Sequence, residues 1–177
     1  MPGFELIGEE ERKAVNELFD DGGVLFAHGF DNIRNGRYHV REFEKKFANY
    51  AGVKYAQAVS SGTAAIKVAL VAMGVKPGDE VITQAFTFIA TLEAIIDIGA
   101  KPILVNIDES LNMDPNEFES AISSKTKVVI PVHMLGVSCD QDRIFQIAKK
   151  HKILILDDSC EALGAEWGGR PLGVSSD

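Results

Sequence analysis

Three short polar segments have residue types that could do chemistry, and each follows an apolar run. They are residues 60–65 (SSGTAA), 83–88 (TQAFTF) and 156–162 (LDDSCEA). An apolar run followed by a polar turn is typical of a buried strand that leads into a helix. In sheets of that kind, ligands bind at the carboxyl ends of the strands, which is where these three segments are expected to lie.

The first segment could bind a phosphate. The free amides and the partial positive charge at a helix N-terminus attract phosphate groups. Gly62 would let the phosphate approach the backbone, and Thr63 would add a hydroxyl donor. The same residues also fit an ordinary helix cap with a glycine in the turn, so this pattern leaves phosphate binding and capping both open.

The other two segments carry aromatic rings and carboxylates. Phe88 could stack on a flat ligand or lie in the core, whereas Phe86 is predicted to be a core residue. Carboxylates directly after a buried strand are costly unless they are paired or functional. Asp157 or Asp158 could therefore hold a protonated ring nitrogen, or one of them could cap a helix or bind a neighbouring backbone amide. His133 follows another predicted strand, where it would either line the pocket or be packed and hydrogen-bonded. A metal site is disfavoured because no histidine or cysteine stands at ligand spacing.

The elements that must position these segments alternate along the chain. Strands are predicted at residues 54–60, 80–83, 102–107, 127–132 and 153–156, and helices at 9–19, 40–50, 62–73, 88–98 and 141–150. Asp114 is predicted to cap a further helix that begins at Pro115. Apolar strands separated by helices favour a parallel sheet covered on both faces. The predicted fold is therefore α/β, a three-layer αβα sandwich with a mostly parallel sheet.

Composition and charge restrict the function classes. The 177 residues are 46% hydrophobic and 25% charged, as is ordinary for a globular domain. The formal net charge of −8 disfavours binding to nucleic acid or to an anionic membrane surface. No apolar stretch is long enough to span a membrane, and the two cysteines do not form a disulfide framework, so a cytoplasmic location is predicted. The phosphate-binding motifs of P-loop enzymes and of nicotinamide dehydrogenases are both missing.

Taken as an ordered series, the segments resemble the DegT-type sugar aminotransferases (the DegT/StrS group) among the fold-type I pyridoxal-phosphate enzymes. The series consists of REFEKKFA at 41–48, YAGV at 50–53, SGTAA at 61–65, PGDEVI at 77–82, TFIAT at 87–91, TK at 126–127, PVH at 131–133, DDSCEALGA at 157–165 and Gly173. The resemblance covers nearly the whole chain. It implies the large cofactor-binding domain of a fold-type I aminotransferase, with pyridoxal 5′-phosphate as the cofactor.

The resemblance also implies roles for five residues. Gly62 and Thr63 match the turn that binds the cofactor phosphate. Phe88 matches the ring that stacks on the pyridine, and Asp158 matches the aspartate paired with the ring nitrogen. Glu161 falls where the family often has glutamine or histidine near the phenolic oxygen, so a glutamate departs from the commonest pattern.

The implied function is a transaminase of amino-sugar and polysaccharide biosynthesis that moves an amino group from glutamate to a nucleotide-linked keto sugar. The Schiff-base lysine is expected beyond Asp177, so the chain is expected to hold no catalytic residue and to be inactive alone. Two alternatives stay open. One is a pyridoxamine-phosphate-dependent sugar dehydratase with histidine at the missing lysine position. The other is a non-catalytic protein that binds a phosphorylated ligand or a partner subunit.

The resemblance further implies an organisation in two segments and a homodimer. Residues 1–52 are predicted to form an N-terminal helical segment with a glycine-rich loop at 22–37. Residues 53–177 are predicted to form the cofactor-binding domain, truncated before the lysine and the C-terminal domain. Active sites of this family form between two subunits, and the glycine-rich loop could contribute to that contact.

Overall fold

The computed structural model describes residues 4–174 and divides into two compact units, Met1–Ala58 and Val59–Asp177. Residues 1–3 of the predicted segment 1–52, and residues 175–177 of the predicted segment 53–177, lie outside the described residues. Within the described part, no helix combines the length and the apolar character that crossing a bilayer requires.

The first unit contains two long helices and the loop between them. Helix α1 (Glu9–Asp20) follows a 3₁₀ helix at Phe4–Leu6, and α2 (His39–Ala51) ends at Gly52, which adopts a left-handed conformation. No described residue of α1 is buried, and only Ala48 is buried in α2. The two helices therefore expose most of their apolar side chains.

Arg34 organises the loop between α1 and α2. Its guanidinium is buried and donates hydrogen bonds to the carbonyl oxygens of Phe26, His28 and Gly29. The same guanidinium lies 5.1 Å from the centre of the Tyr38 ring. Since hydrogen bonds from a charged donor are among the stronger ones, these contacts give the glycine-rich segment a defined conformation.

Residues 54–60, predicted as a strand, belong to no described strand, and the segment has a bend at each end. Two of its polar groups are bonded to a helix instead. The Glu44 carboxylate of α2 accepts from the Ala58 amide at 2.9 Å and from the side-chain amide of Gln57 at 3.0 Å. The strand prediction was wrong because an extended backbone becomes a strand only when a neighbouring strand bonds to it.

The second unit is built on a four-stranded parallel sheet. Its strands are β1 (Glu80–Gln84), β2 (Lys101–Val105), β3 (Thr126–Ile130) and β4 (Leu154–Ile155), in the spatial order β2-β1-β3-β4. All three pairings are parallel, and the register places Ile82 of β1 opposite Ile103 of β2 and Val129 of β3. The predicted parallel sheet is confirmed.

Four helices cover the two faces of this sheet. They are α3 (Gly62–Ala72), α4 (Ile89–Asp97), α5 (Pro115–Ala121) and α6 (Gln141–His151). One apolar cluster joins Ile82 and Val129 to residues of α5 and α6, and a second joins Val81 and Val128 to residues of α3 and α4. Because successive residues of a strand point to opposite faces, the two clusters lie on opposite sides of the sheet. The predicted three layers are thus present.

The remaining predicted elements are present, with ends shifted by at most two residues. The Asp114 cap is confirmed, since its carboxylate accepts from the Asn116 amide at 2.7 Å at the start of α5. A hairpin of β5 (Glu166–Trp167) and β6 (Arg170–Pro171) was not predicted. Its turn consists of Gly168 and Gly169, whose positive φ angles suit a two-residue hairpin.

Candidate active site

The strand order creates one place where the connections between strands diverge. From β1 the chain passes through α4 to β2, and from β3 it passes through α6 to β4. The neighbours β1 and β3 therefore send their connections to opposite sides, and ligands of open parallel sheets bind outside the carboxyl ends of strands at such a point. The segments that follow β1, β3 and β4 are joined here by side-chain hydrogen bonds.

Asp158 lies at this point, and both oxygens of its carboxylate are held. Oδ2 accepts from the Thr91 hydroxyl at 3.1 Å, and Oδ1 accepts from the Cys160 amide at 3.3 Å. The Asp158 backbone pairs with the segment after β3 through Pro131 and His133. The residue is only 9% exposed. Since a carboxylate has about four acceptor sites, its oxygens can still accept from a further donor.

The two phenylalanines after β1 are both at the surface. The core prediction for Phe86 was wrong, because 40% of the residue is exposed. Its backbone is fixed instead, since the Gln84 side chain donates to the Phe86 carbonyl oxygen at 3.0 Å. Phe88 precedes α4 and is 69% exposed, so its ring is accessible to a ligand. The Thr91 amide donates to the Phe88 carbonyl oxygen, which places Phe88 one helical turn before the residue that binds Asp158.

Gly62 and Thr63 form the first turn of α3. Ser61 caps this helix, because its hydroxyl accepts from the Ala64 amide at 3.1 Å. The amides of Gly62 and Thr63 precede that bond and have no acceptor within the helix. A Cβ atom on Gly62 would meet nothing within 4 Å. The turn is therefore open to a ligand, although among the described residues no hydrogen bond joins it to the groups around Asp158.

Glu161 is bonded to the backbone of another connection. Its Oε2 accepts from the Leu135 amide at 2.9 Å. Leu135 has a positive φ of 55° within the 3₁₀ turn Met134–Gly136. The bond thus ties the turn after β3 to the segment after β4, and it uses one of the two carboxylate oxygens.

Asp157 binds a different set of groups from Asp158. Its side chain is 1% exposed, and its Oδ1 lies 3.6 Å from Nε2 of His133, which is fully buried. Nδ1 of His133 accepts from the Cys139 amide at 3.1 Å, so a neutral imidazole carries its proton on Nε2. Gln141 donates to the other Asp157 oxygen at 3.3 Å. His133 is therefore a packed, hydrogen-bonded residue, and Asp157 belongs to its buried cluster.

Sequence reasoning missed two buried amide side chains that join the same connections. Oε1 of Gln84 accepts from the Met113 amide at 3.1 Å and from the Val132 amide at 3.2 Å. Asn112 accepts from the Met134 amide at 2.9 Å in the same way. Both residues are fully buried. A polar residue at the end of an apolar strand was the available signal for Gln84, the same signal that pointed to the aspartates after β4.

These segments supply three kinds of contact that a ligand could use. Asp158 offers an acceptor, Phe88 an accessible ring, and the first turn of α3 free amides. Within residues 4–174, no group of three or more histidine, cysteine, aspartate or glutamate residues is placed to hold a metal ion.

Comparisons with known proteins agree with the motif series. The family model of the DegT/DnrJ/EryC1/StrS aminotransferases matches residues 7–177. The chain is 45% identical over 143 residues to a GDP-perosamine synthase of Caulobacter vibrioides. That match covers 80% of this chain and 38% of the relative. It is 41% identical over 143 residues to a UDP-2-acetamido-2-deoxy-3-oxo-D-glucuronate aminotransferase of Pseudomonas aeruginosa. That match covers 78% of this chain and 40% of the relative.

The fold is also that of solved relatives. The putative sugar aminotransferase Spr1654 from Streptococcus pneumoniae, in its pyridoxal-phosphate form, superposes with a TM-score of 0.86 at 33% identity. The superposition covers 97% of this chain and 45% of the Spr1654 chain. The same protein has been solved in its pyridoxamine-phosphate form, with a TM-score of 0.83. The predicted resemblance and the predicted fold class are both confirmed.

Replacing Gln84 with leucine should destabilise the second unit. The change leaves the buried amides of Met113 and Val132 without an acceptor, at about 1–3 kcal/mol each. We expect the free energy of unfolding, measured by urea denaturation, to fall by about 2–6 kcal/mol. The matched control is Gln57→Leu, since Gln57 is exposed, with an expected change within about 0.5 kcal/mol. Equal effects of the two substitutions would contradict the bridging role of Gln84.

The thiol of Cys160 should react slowly despite its exposure. Partial burial of the thiol raises the pKa of Cys160 from 9.0 to about 11. The negative charge of Asp158 and its hydrogen bond with the thiol add to the rise. Since the thiolate is the reactive form, its fraction at pH 8 falls about a hundredfold, and alkylation by iodoacetamide should slow in proportion. We expect Asp158→Asn to lower this pKa and to speed alkylation. The rate is measured by mass spectrometry of the Cys160 peptide. A free-cysteine rate in the unsubstituted chain would contradict the raised pKa.

Proposed function

This chain belongs to the DegT/DnrJ/EryC1/StrS aminotransferase family, and we propose that the complete protein transfers an amino group from glutamate to a keto sugar carried on a nucleotide. The chain spans about two-fifths of the length of the curated relatives that it matches. The activity is therefore assigned to the complete protein. The observation that carries the proposal is the oriented carboxylate of Asp158 at the point where the connections of the sheet diverge.

The substrate class is supported by the relatives. One makes a GDP-linked sugar, perosamine, and the other is an aminotransferase of a UDP-linked 3-oxo sugar acid. Two different nucleotides and two different sugars occur at similar identity. The proposal is accordingly limited to the class of nucleotide-linked keto sugars, with amino-sugar and polysaccharide biosynthesis as the setting.

The cofactor is pyridoxal 5′-phosphate, as the sequence predicted, and the residues present fit it. The first turn of α3 has two amides without helical acceptors beside the open space at Gly62. Asp158 has acceptor capacity left after its bonds to Thr91 and Cys160. Phe88 presents an accessible ring one turn before Thr91. When bound, pyridoxal phosphate supplies an electron sink that stabilises negative charge on the carbon bearing the amino group.

Each of these residues has a binding or orienting part in the proposal. The amides of Gly62 and Thr63 would bind the phosphate, helped by the positive end of the α3 dipole. The Phe88 ring would pack on one face of the pyridine. The Asp158 carboxylate would accept the hydrogen bond of the ring nitrogen and hold the proton on that nitrogen.

Glu161 and the missing lysine complete the proposal. One carboxylate oxygen of Glu161 is bonded to Leu135, which leaves the other available. Beside the phenolic oxygen of the cofactor, this carboxyl would serve if it were protonated or paired. We place the cofactor-binding lysine beyond Asp177 and expect the 177 residues to have no transaminase activity alone. Borohydride treatment of the chain with pyridoxal phosphate should then label no specific lysine. A single labelled lysine would contradict this part.

A homodimer is proposed for the complete protein. The described part of the first unit exposes two aromatic groups, Phe26 with Phe30 and Phe43 with Phe47 and Tyr50. Exposed apolar patches of this kind mark interaction surfaces, and a second copy would cover part of them. A monomer in sedimentation equilibrium of the complete protein would contradict the dimer.

A cytoplasmic location is also proposed. Both cysteines are unpaired, as is usual in a reducing compartment. Cell fractionation with an antibody to the chain tests this location.

The complete protein should release 2-oxoglutarate when glutamate and a nucleotide-linked keto sugar are supplied together. Mass spectrometry should show the sugar product gaining an amine at the position of its keto group. Turnover with glutamate and no gain of an amine on any nucleotide-linked keto sugar would contradict the proposed acceptor. Loss of water from the sugar instead would indicate a dehydratase.

Asp158→Ala should weaken cofactor binding by the 177-residue chain. The substitution removes the proposed partner of the ring nitrogen, and hydrogen bonds to a charged group contribute about 1.5–3 kcal/mol, so the Kd for pyridoxamine 5′-phosphate should rise about 10- to 100-fold. Asp142→Ala is the matched control, because Asp142 is an exposed carboxylate on α6 and its loss changes the net charge equally. A Kd that is unchanged by Asp158→Ala would place the cofactor elsewhere.

A further inference from the structure

Thr91 is buried in the first turn of α4, and its hydroxyl is directed at Asp158. The residue is 1% exposed, and its Oγ1 lies 3.1 Å from Oδ2 of Asp158. A carboxylate accepts hydrogen bonds and donates none, so the Thr91 hydroxyl is the donor. The bond joins residues 67 positions apart in the sequence, and it links the connection after β1 to the segment after β4.

A second hydroxyl fixes the direction of this bond. Oγ1 of Thr87 lies 3.0 Å from Oγ1 of Thr91. Since the Thr91 proton is directed to Asp158, the Thr91 oxygen accepts and Thr87 donates. The Thr87 hydroxyl also lies 3.4 Å from the Phe88 carbonyl oxygen, a longer contact that competes for the same proton. The two threonines thus form a chain of donors that ends on Asp158.

The rest of Asp158 is restrained as well. Its amide donates to the Pro131 carbonyl at 3.0 Å, and its carbonyl accepts from the His133 amide at 3.1 Å. The Cys160 amide donates to Oδ1 at 3.3 Å. With the backbone fixed on both sides, the rotation of the carboxylate depends on the bonds to its oxygens. Among the described residues, the bond from Thr91 is shorter than that from the Cys160 amide, and it is supplied by a side chain of another element.

We propose that Thr91 is a positioning residue for Asp158. Its hydroxyl fixes the plane of the carboxylate so that an unoccupied acceptor site is presented to the ring nitrogen of the cofactor, and Thr87 holds the Thr91 proton in the productive direction. Thr91 itself touches no reacting atom in this scheme. The inference rests on the proposed role of Asp158 as the partner of that nitrogen.

The test uses the 177-residue chain and pyridoxamine 5′-phosphate labelled with ¹⁵N in the ring, a probe that does not depend on a protein lysine. Two quantities are measured at neutral pH, the Kd and the ¹⁵N chemical shift of the bound ring nitrogen, which reports its protonation. Thr91→Val keeps the shape and removes the hydroxyl. We expect the Kd to rise about 2- to 10-fold, less than for Asp158→Ala because the acceptor of the ring nitrogen is kept, and the shift to move toward the unprotonated value. Thr91→Ser keeps the hydroxyl and should restore both.

Thr83→Val is the matched control. Thr83 is a fully buried threonine of β1, and its hydroxyl donates to the Ile130 carbonyl at 2.9 Å, with no contact to Asp158. It should lower stability while leaving the ¹⁵N shift unchanged. Thr87→Val tests the same chain of hydroxyls at a less buried site. We expect it to move the ¹⁵N shift in the same direction as Thr91→Val does, but by a smaller amount. If Thr91→Val does not fold, Thr87→Val and Thr91→Ser decide the matter.

The outcomes separate this inference from the proposed function. If Asp158→Asn changes neither the Kd nor the ¹⁵N shift, or if the probe does not bind, the proposed cofactor site fails and the role of Thr91 fails with it. If Asp158→Asn moves the shift but Thr91→Val and Thr87→Val do not, the positioning role alone is overturned. Equal losses of affinity in Thr91→Val and Thr83→Val without a change of shift would likewise overturn it.

Discussion

The carboxyl edge of a buried parallel sheet leaves backbone amides with no strand to bond, and the side chain of Gln84 supplies the acceptor for two of them. It binds the amides of Met113 and Val132, which belong to the connections after β2 and β3. An unpaired buried amide is costly, so these connections are held where Gln84 places them. Asn112 acts in a similar way by accepting from the Met134 amide. These two side chains therefore fix the start of the connection after β3, with which the backbone of Asp158 and the carboxylate of Glu161 are bonded.

The candidate site is therefore part of the same network that stabilises the second unit. Beyond the ends of the strands, side-chain bonds add to the remaining backbone pairing: Thr91 binds Asp158, Glu161 binds Leu135, and Gln84 joins the connections beside them. Groups that touch a ligand must be held to within a fraction of an ångström, and residues locked by packing and by further hydrogen bonds achieve this. The residues at the candidate site therefore also make hydrogen bonds that stabilise the fold.

The sequence was informative where a local rule decides the structure. Apolar runs located the four strands, and the Asp-Pro pair located the start of α5. It failed where a distant partner decides. Residues 54–60 have strand composition but bond to Glu44 of a helix, and Phe86 is apolar yet half exposed because its turn is held by its backbone. Asp158 could be recognised by its type and its position after a buried strand. Thr91, 67 residues away, could not, since nothing local marks a helix threonine as the partner of an aspartate.

The two adjacent aspartates illustrate how neighbours in sequence acquire different roles. The Asp157 carboxylate accepts from the Gln141 side chain at one oxygen, and its other oxygen lies 3.6 Å from Nε2 of the buried His133. Asparagine has a single acceptor oxygen, so it would turn its own NH2 group toward one of these two donors. Asp158 accepts from Thr91 and Cys160 while offering a further acceptor site to a ligand, and only a carboxylate provides that capacity. The carboxylate at 157 therefore serves the interior of the protein, whereas the identical side chain at 158 also has acceptor capacity to offer outside it.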